Sequence, residues 1–299
     1  MVIIIDGNQL ACRCYFSLDK LTSSSGQRTE TIYGFLSSFK KIVEEYRDES
    51  SVFFLTWDGG NDKRKAIFPD YKAGRKRFED PFYEQLFEIR KIISLLGIKQ
   101  YHEKAVEADD LIGTLTVKSR KKGKKVLIVS SDHDFEQLIS RHVSVLHPMG
   151  NNIIKDVNFV LDNYGVEPHR LVEVMAITGD TTDNIPGIDG VGDKTAGKLI
   201  IANGTLENIL KNPDELKTLN KKNEIVNAQE KLKDKVKANI ENIKISYQLV
   251  KIDCDLNIEP DFSIQSTNFE ELVEKFEKLD FKRFINELDK WKKCFSCRN

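Results

Sequence analysis

Short apolar runs alternate with amphipathic stretches along the first half of the chain. Val2–Asp6, residues 51–58, residues 125–132 and Val143–His147 read as strands, while residues 31–47, 83–96 and 111–118 carry apolar side chains at helical spacing. Strands alternating with helices predict a mostly parallel sheet covered by helices on both faces. From about Val157 the strand pattern fades, and residues 171–177, 196–201 and 206–210 predict helices. We therefore expect an α/β domain over residues 1–166 and a helical domain over 167–299. Residues 211–244, rich in Lys, Asn and Glu without a strong apolar stripe, read as exposed helices and loops.

A chain of 299 residues with 40% hydrophobic and 31% charged positions can bury a substantial core, which excludes wholesale disorder. The early apolar run Val2 to Ile5 is closed by Asp6, too short for a signal peptide or a membrane span, so a soluble cytoplasmic protein is expected. Cys12, Cys14, Cys254, Cys294 and Cys297 build neither a disulfide framework nor a paired zinc site; the Cys294-Phe-Ser-Cys297 spacing receives no role. The formal net charge of −1 carries no polybasic signature.

That balance conceals segregated charge. Asp6, Asp58 and Asp132 each follow an apolar run, and in an open parallel sheet such positions share the edge where ligands bind. A single Asp there ordinarily caps the next helix; three make a stronger case. Glu107, Asp109 and Asp110 open one predicted helix, Asp132 and Asp134 flank His133, and Asp180 and Asp183 are spaced to share one helical face. Nine acids near one crevice would repel severely unless divalent cations neutralise them, and all-oxygen ligands select magnesium or manganese over zinc. Two-metal phosphodiester hydrolysis fits this pattern. With those nine acids set aside, the rest of the molecule carries a surplus of eight cations, the charge of a phosphate-binding surface.

The segment DKRKAIFPDYKAGRKRFED, residues 62–80, interleaves seven Lys or Arg with Phe68, Tyr71 and Phe78, which suits single-stranded nucleic acid. Six basic residues in 118–125 lie at a helix C-terminus, where cations are favourable for structural reasons. The glycine-rich IPGIDGVGDKTA, residues 185–196, precedes a predicted helix. Gly190 and Gly192 there bracket Val191, which lets backbone amides approach a phosphate.

DGNQLACR at Asp6, YGF at Tyr33, YKAGR at Tyr71, EADD at Glu107, SSDHDFEQL at Ser130, HPMG at His147 and GDTTDNIPGIDGVGDKTAGKL from Gly179 resemble the 5′ nucleases of the flap endonuclease superfamily. The likeness is to the amino-terminal nuclease domain of bacterial DNA polymerase I and to stand-alone phage 5′-exonucleases, and runs from residue 2 to about 210. It implies a PIN-like (Rossmann-like) α/β catalytic domain with an arch or clamp at about 60–82, and a helix-hairpin-helix duplex clamp at about 179–212. It also implies two Mg²⁺ ions, replaceable by Mn²⁺. By motif position, Asp6, Asp58, Glu107, Asp109 and Asp110 match one group of metal ligands, and Asp132, Asp134, Asp180 and Asp183 the other. Lys72 and Arg75 match catalytic phosphate-handling residues, Tyr71 their stacking neighbour and Lys194 the hairpin lysine. Backbone carbonyls of the hairpin between Ile188 and Val191 match a monovalent cation site, expected to take K⁺. Met175 stands where phage relatives carry a basic residue. The implied activity is 5′-3′ exonuclease and 5′-flap endonuclease on branched or 5′-ended DNA, with RNA primers a further candidate substrate. A monomer working beside a separate polymerase and ligase, away from membranes, is expected. The alternatives are a catalytically inactive DNA-junction scaffold and a haloacid-dehalogenase-like phosphatase, whose DxD element Asp132-His133-Asp134 mimics.

Overall fold

The structure, a computed structural model, describes residues 1–48, 50–148 and 152–295. In chain order the elements begin with β1 (Val2–Asp6), α1 (Gly7–Ser17), α2 (Glu30–Tyr46), β2 (Val52–Trp57), α3 (Asp62–Ile67) and α4 (Asp80–Leu95). Next come β3 (Lys99–His102), α5 (Ala108–Lys121), β4 (Val126–Val129), β5 (Val143–His147), β6 (Ile153–Lys155), α6 (Val157–Tyr164) and α7 (Leu171–Thr178). The remainder is α8 (Asp193–Asn203), α9 (Leu206–Lys211), β7 (Lys217–Leu219), β8 (Ile225–Asn227), α10 (Glu230–Ala238) and α11 (Ile240–Val250). It closes with α12 (Phe269–Lys278), α13 (Lys282–Asn286) and α14 (Leu288–Phe295). Two compact units result: one holds residues 1–59, 77–131 and the chain from Cys254 onward, the other residues 60–76 and 132–253.

In the first unit β1, Val-Ile-Ile-Ile-Asp, is buried along its whole length, as a strand covered on both faces must be. It pairs in parallel with β2, Asp6 opposite Thr56, and with β4, Ile5 opposite Val129; β2 pairs in parallel with β3. Parallel neighbours need crossover connections, which α1–α2, α4 and α5 supply. The carboxyl ends of β1 to β4 therefore share one edge. β3, Lys-Gln-Tyr-His, has no apolar run for a pattern to reveal; Tyr101 instead packs edge-on against Phe54 at 5.2 Å.

The chain from Cys254 onward is stitched to these elements. Leu256 N–H donates to Thr114 Oγ1 at 3.2 Å, and Asp261 N–H to the Tyr101 hydroxyl at 2.8 Å. Phe284 and Trp291 meet at 5.1 Å, and Tyr33 of α2 stacks on Phe284 at 4.9 Å, burying large rings together. Cys294 lies in α14, whereas Cys297 lies outside the described residues.

In the second unit β5 and β6 form an antiparallel pair, Val145 opposite Lys155. α7, Leu-Val-Glu-Val-Met-Ala-Ile-Thr, is apolar nearly all round and belongs in a core; it packs against α8 and α11. α8 approaches the end of α6 so closely that a Cβ on Gly197 would lie 2.1 Å from the Tyr164 carbonyl oxygen. Residues 211–244 depart from the expected helices and loops, because β7 and β8 form a hairpin there, Lys217 opposite Asn227. Its turn is made by polar bonds: Asn220 N–H donates to the Glu224 carbonyl at 3.0 Å, and Asn223 takes φ +61°. Apolar alternation therefore never signals it, and Ile225 stays 60% exposed. Among the described residues no helix is long and apolar enough to cross a membrane.

Gly197→Ala is expected to push α8 off the Tyr164 carbonyl and to destabilise the protein by on the order of 1–3 kcal/mol. A thermal melt followed by circular dichroism reads this directly. An unchanged midpoint would show that the close approach does not hold α8 in place.

Candidate active site

The first unit gathers its acids at the carboxyl edge of its sheet. Asp6 ends β1 and caps α1: its Oδ1 accepts from Gln9 N–H at 2.9 Å and its Oδ2 from the Ser130 hydroxyl at 3.2 Å, so the carboxylate is buried but hydrogen-bonded. Asp58 follows β2, its N–H bound to Asn8 Oδ1 at 2.9 Å, and its side chain is exposed. Gly59 exchanges backbone bonds with the loop before α5, Gly59 N–H to Val106 O at 2.9 Å and Ala105 N–H to Gly59 O at 2.8 Å. A Cβ on Gly59 would lie 1.8 Å from the Glu103 carbonyl, so only glycine permits this approach. The contact brings Asp58 beside the start of α5, where Glu107 is the N-cap and Asp109 and Asp110 form the first turn. Glu107 and Asp110 are buried.

The second unit gathers the others. Asp132 caps the 3₁₀ turn His133–Leu138, accepting from Asp134 N–H at 2.9 Å. Asp180 accepts from Thr182 N–H at 2.7 Å, and its backbone pairs with Ile185. Burial, and after it the charges of Asp132, Asp183 and Asp180, hold Asp134 well above the usual carboxylate range, with Lys72 acting against them. Asp183 is likewise raised by burial, opposed by Lys72 and Arg75. Arg75 Nε donates to Asp183 Oδ1 at 2.8 Å, and Lys72 Nζ lies 3.6 Å from Oδ2. The backbone repeats the link: Lys72 N–H donates to the Asp183 carbonyl at 2.8 Å while Lys72 itself takes φ +56°, a conformation uncommon for a non-glycine residue. Among the described residues no three His, Cys, Asp or Glu side chains are arranged as a ready-made metal cage. The donor set is nonetheless all oxygen, and its crowding requires positive charge, which fits a hard divalent cation.

Glycines lock the hairpin to these acids. Cβ atoms on Gly179 and Gly187 would lie 2.6 Å from Gly187 N and 2.0 Å from Thr178 O, so two backbones cross in contact directly before Asp180. Ile188 N–H donates to Ile177 O at 2.8 Å beside the crossing. Gly190 takes φ +72°, whereas Gly192, at φ −94°, is the N-cap of α8 with open space around it, so its dihedrals do not demand glycine. Lys194 is exposed in the first turn of α8. The Ile188 and Val191 side chains are buried, and the Ile188 carbonyl accepts from Val191 N–H at 3.0 Å.

One expectation is corrected. Tyr71 is 3% exposed, packed with Val172, Ile185, Leu249 and Val250, so its ring offers no face on which a base could stack. It anchors the basic segment instead, with Lys72 Nζ 4.9 Å from the ring centroid. Met175 packs against the same cluster. Sequence reasoning also missed Ser130 on Asp6 and the buried pair of Glu136 with Lys155. Burial opposes ionisation of Glu136, yet hydrogen bonding to His133 and Lys155 holds it below its ordinary value. Ser130 and Glu136 sit inside the SSDHDFEQL motif and were within reach; Lys155 comes from β6, whose three residues give no pattern.

Residues 1–165 match the model of the 5′-3′ exonuclease N-terminal resolvase-like domain, and residues 166–283 that of the 5′-3′ exonuclease C-terminal SAM fold. A 5′-3′ exonuclease of Aquifex aeolicus is 35% identical over 291 residues, 96% of this chain and 94% of that protein. The thermostable DNA polymerase I of Thermus thermophilus is 35% identical over 96% of this chain, which spans 33% of that protein's length. Among solved structures, the phage T5 5′-exonuclease with bound zinc shares the fold at TM-score 0.68 and 18% identity, over 93% of this chain and 98% of that one. A T5 flap endonuclease complex with DNA and metal ions does so at TM-score 0.66 and 19% identity, over 97% and 99%. Asp132-His133-Asp134 follows β4 and not the first strand, and both portions match exonuclease models, which removes the phosphatase alternative. The chain belongs to the 5′-3′ exonuclease family and is, as a member of it, a nuclease of the hydrolase class.

Proposed function

We propose that this protein hydrolyses DNA phosphodiesters at 5′ ends and 5′ flaps with two divalent ions, magnesium or manganese, as cofactors. The observation that carries the reading is the crowding of Asp132, Asp134, Asp180 and Asp183, offset by Lys72 and Arg75 from the basic segment. Asp6, Asp58, Glu107, Asp109 and Asp110 would hold one ion and the second unit's four acids the other. Bound divalent ions would supply an activated water and stabilise the leaving oxygen. Asp6 is kept in place by Gln9 and Ser130, and Asp132 by Asp134 N–H. Lys72 and Arg75 neutralise Asp183 and would be available to the substrate phosphate were that carboxylate to hold a metal. The amides around Gly190 and Gly192, with Lys194, would grip duplex DNA. We place residues 1–166, together with Asp180 and Asp183, in the catalytic part and the hairpin within 167–299 in the duplex-binding part. A polymerase and a ligase are the functional partners this reading requires, with the protein acting as a monomer in the cytoplasm.

A labelled 5′-flap duplex incubated with magnesium or with chelator tests the reading: cleavage only with magnesium is expected. Binding without cutting in either condition would identify the scaffold alternative.

Lys72→Ala combined with Arg75→Ala is expected to slow single-turnover cleavage by about 10²–10³-fold at saturating enzyme. Unchanged cleavage would remove Lys72 and Arg75 from phosphate handling.

Asp134→Asn removes a candidate ligand and its charge at nearly constant volume, and cleavage should fall by on the order of 10³-fold while DNA still binds. Because Asp134 is raised in the folded state, the stability it contributes is fully present below about pH 4, the ordinary carboxylate value, and is lost as pH rises through the raised one. Without metal at pH 8 the variant should therefore melt at the same temperature or higher. Wild-type-like cleavage by the variant would remove Asp134 from the metal site.

A further inference from the structure

α10 places a lysine on the hairpin. Lys235, 46 residues beyond Asp189, donates from its ammonium to the Asp189 carbonyl, and its Nζ lies 3.2 Å from the point a Cβ on Gly190 would occupy. Two other lysines of this helix have acidic partners: Lys233 pairs with Glu230 at 2.8 Å and Lys237 with Asp214. Among the described residues no carboxylate lies within ion-pair distance of Lys235, whose recorded partner is a neutral carbonyl. An ammonium has three N–H donors, and the carbonyl takes one. The other two sit at the turn where Gly190, at φ +72°, and the N-terminus of the eleven-residue α8 expose backbone donors.

We propose that Lys235 is the cation of this turn: its ammonium, held on the Asp189 carbonyl, binds the duplex phosphate that the Gly190 to Gly192 backbone approaches. It thereby takes the part expected of a monovalent ion between Ile188 and Val191. A second cation within a few ångströms of an ammonium is repelled, so K⁺ gains little at this turn while Lys235 is in place. The inference rests on the reading of the hairpin as the duplex grip.

The test is the affinity of the whole protein for a blunt duplex, measured by fluorescence anisotropy without divalent ions. Potassium, sodium and N-methylglucamine chloride are compared at equal ionic strength. Wild-type affinity should agree within about twofold across the three salts, because the turn carries its own cation. Lys235→Ala should bind about three- to tenfold more weakly, with a salt dependence shallower by about one phosphate contact, and Lys235→Arg should restore both. Wild-type affinity that falls severalfold when potassium is replaced overturns the proposal, as does Lys235→Ala binding like the wild type. Gly190→Val separates this failure from that of the grip itself. Loss of affinity in Gly190→Val but not in Lys235→Ala removes only the role of Lys235; no loss in either removes the hairpin as the duplex site. Circular dichroism melts confirm that each variant is folded.

Discussion

Carboxylates brought together out of water repel one another, and much of the second unit is arranged around that repulsion. Asp134 stands at its centre, raised by burial and by three neighbouring acids. Two cations answer it through Asp183, one by a guanidinium and one by an ammonium. Glu136, two residues beyond Asp134 and fully buried, has its own counter-charge in Lys155. The arrangement has a conformational cost, visible at Lys72, whose positive φ is held by the Asp183 carbonyl. Strain of this kind persists only where the surroundings over-determine it, and here side chain and backbone of one residue both do.

The second constraint is steric. Gly179 and Gly187 cross with their backbones in contact, and the Asp180–Ile185 bridge lies directly beside the crossing. Close-packed segments transmit displacement because they have no slack to absorb it. The strand that carries Asp180 and the strand that leads into the hairpin thus move as one piece. Gly190 therefore belongs to the same close-packed loop that presents Asp180 and Asp183, which gives hairpin and carboxylates a fixed mutual geometry within this unit.

Strongly buried elements were legible in the sequence because burial on both faces imposes a continuous apolar run, as in β1 and β4, and because α2 and α7 carry their apolar residues at helical spacing. Their terminal acids were legible for the same reason: a polar residue closing an apolar run marks a strand end. β3 and β6 were not, since an edge strand of Lys-Gln-Tyr-His and a three-residue strand have no pattern to show. Neither was the β7–β8 hairpin, fixed by Asn220 and Asn223 through local hydrogen bonds. Tyr71 misled, because an aromatic among basic residues has the same local signature whether it stacks on a base or sits in a core. Only the long-range packing of Leu249 and Val250 against it decides. Lys155 and Lys235 act across 19 and 46 residues of sequence separation, beyond the reach of any motif.

The burial of Tyr71 changes what the basic segment is. Arg64 of α3 donates from Nε to the Leu249 carbonyl at 2.8 Å, Asn184 Nδ2 donates to the Asp70 carbonyl at 2.8 Å, and Tyr71 fills the core between them. Residues 62–75 are therefore not a free arm whose capture by substrate must order a loop, a step that costs roughly 1–2 kcal/mol of backbone entropy per residue. Their backbone is already in place, and in the function proposed above Lys72 and Arg75 would exchange the Asp183 carboxylate for a phosphate by rotating side chains between staggered rotamers. Both states use the same cations on oxygen anions, so the exchange leaves neither lysine nor arginine without a counter-charge. If, as proposed, a divalent ion were to take the negative charge of Asp183, those two residues would be free to meet a phosphate, and metal binding and substrate capture would be coupled through one carboxylate.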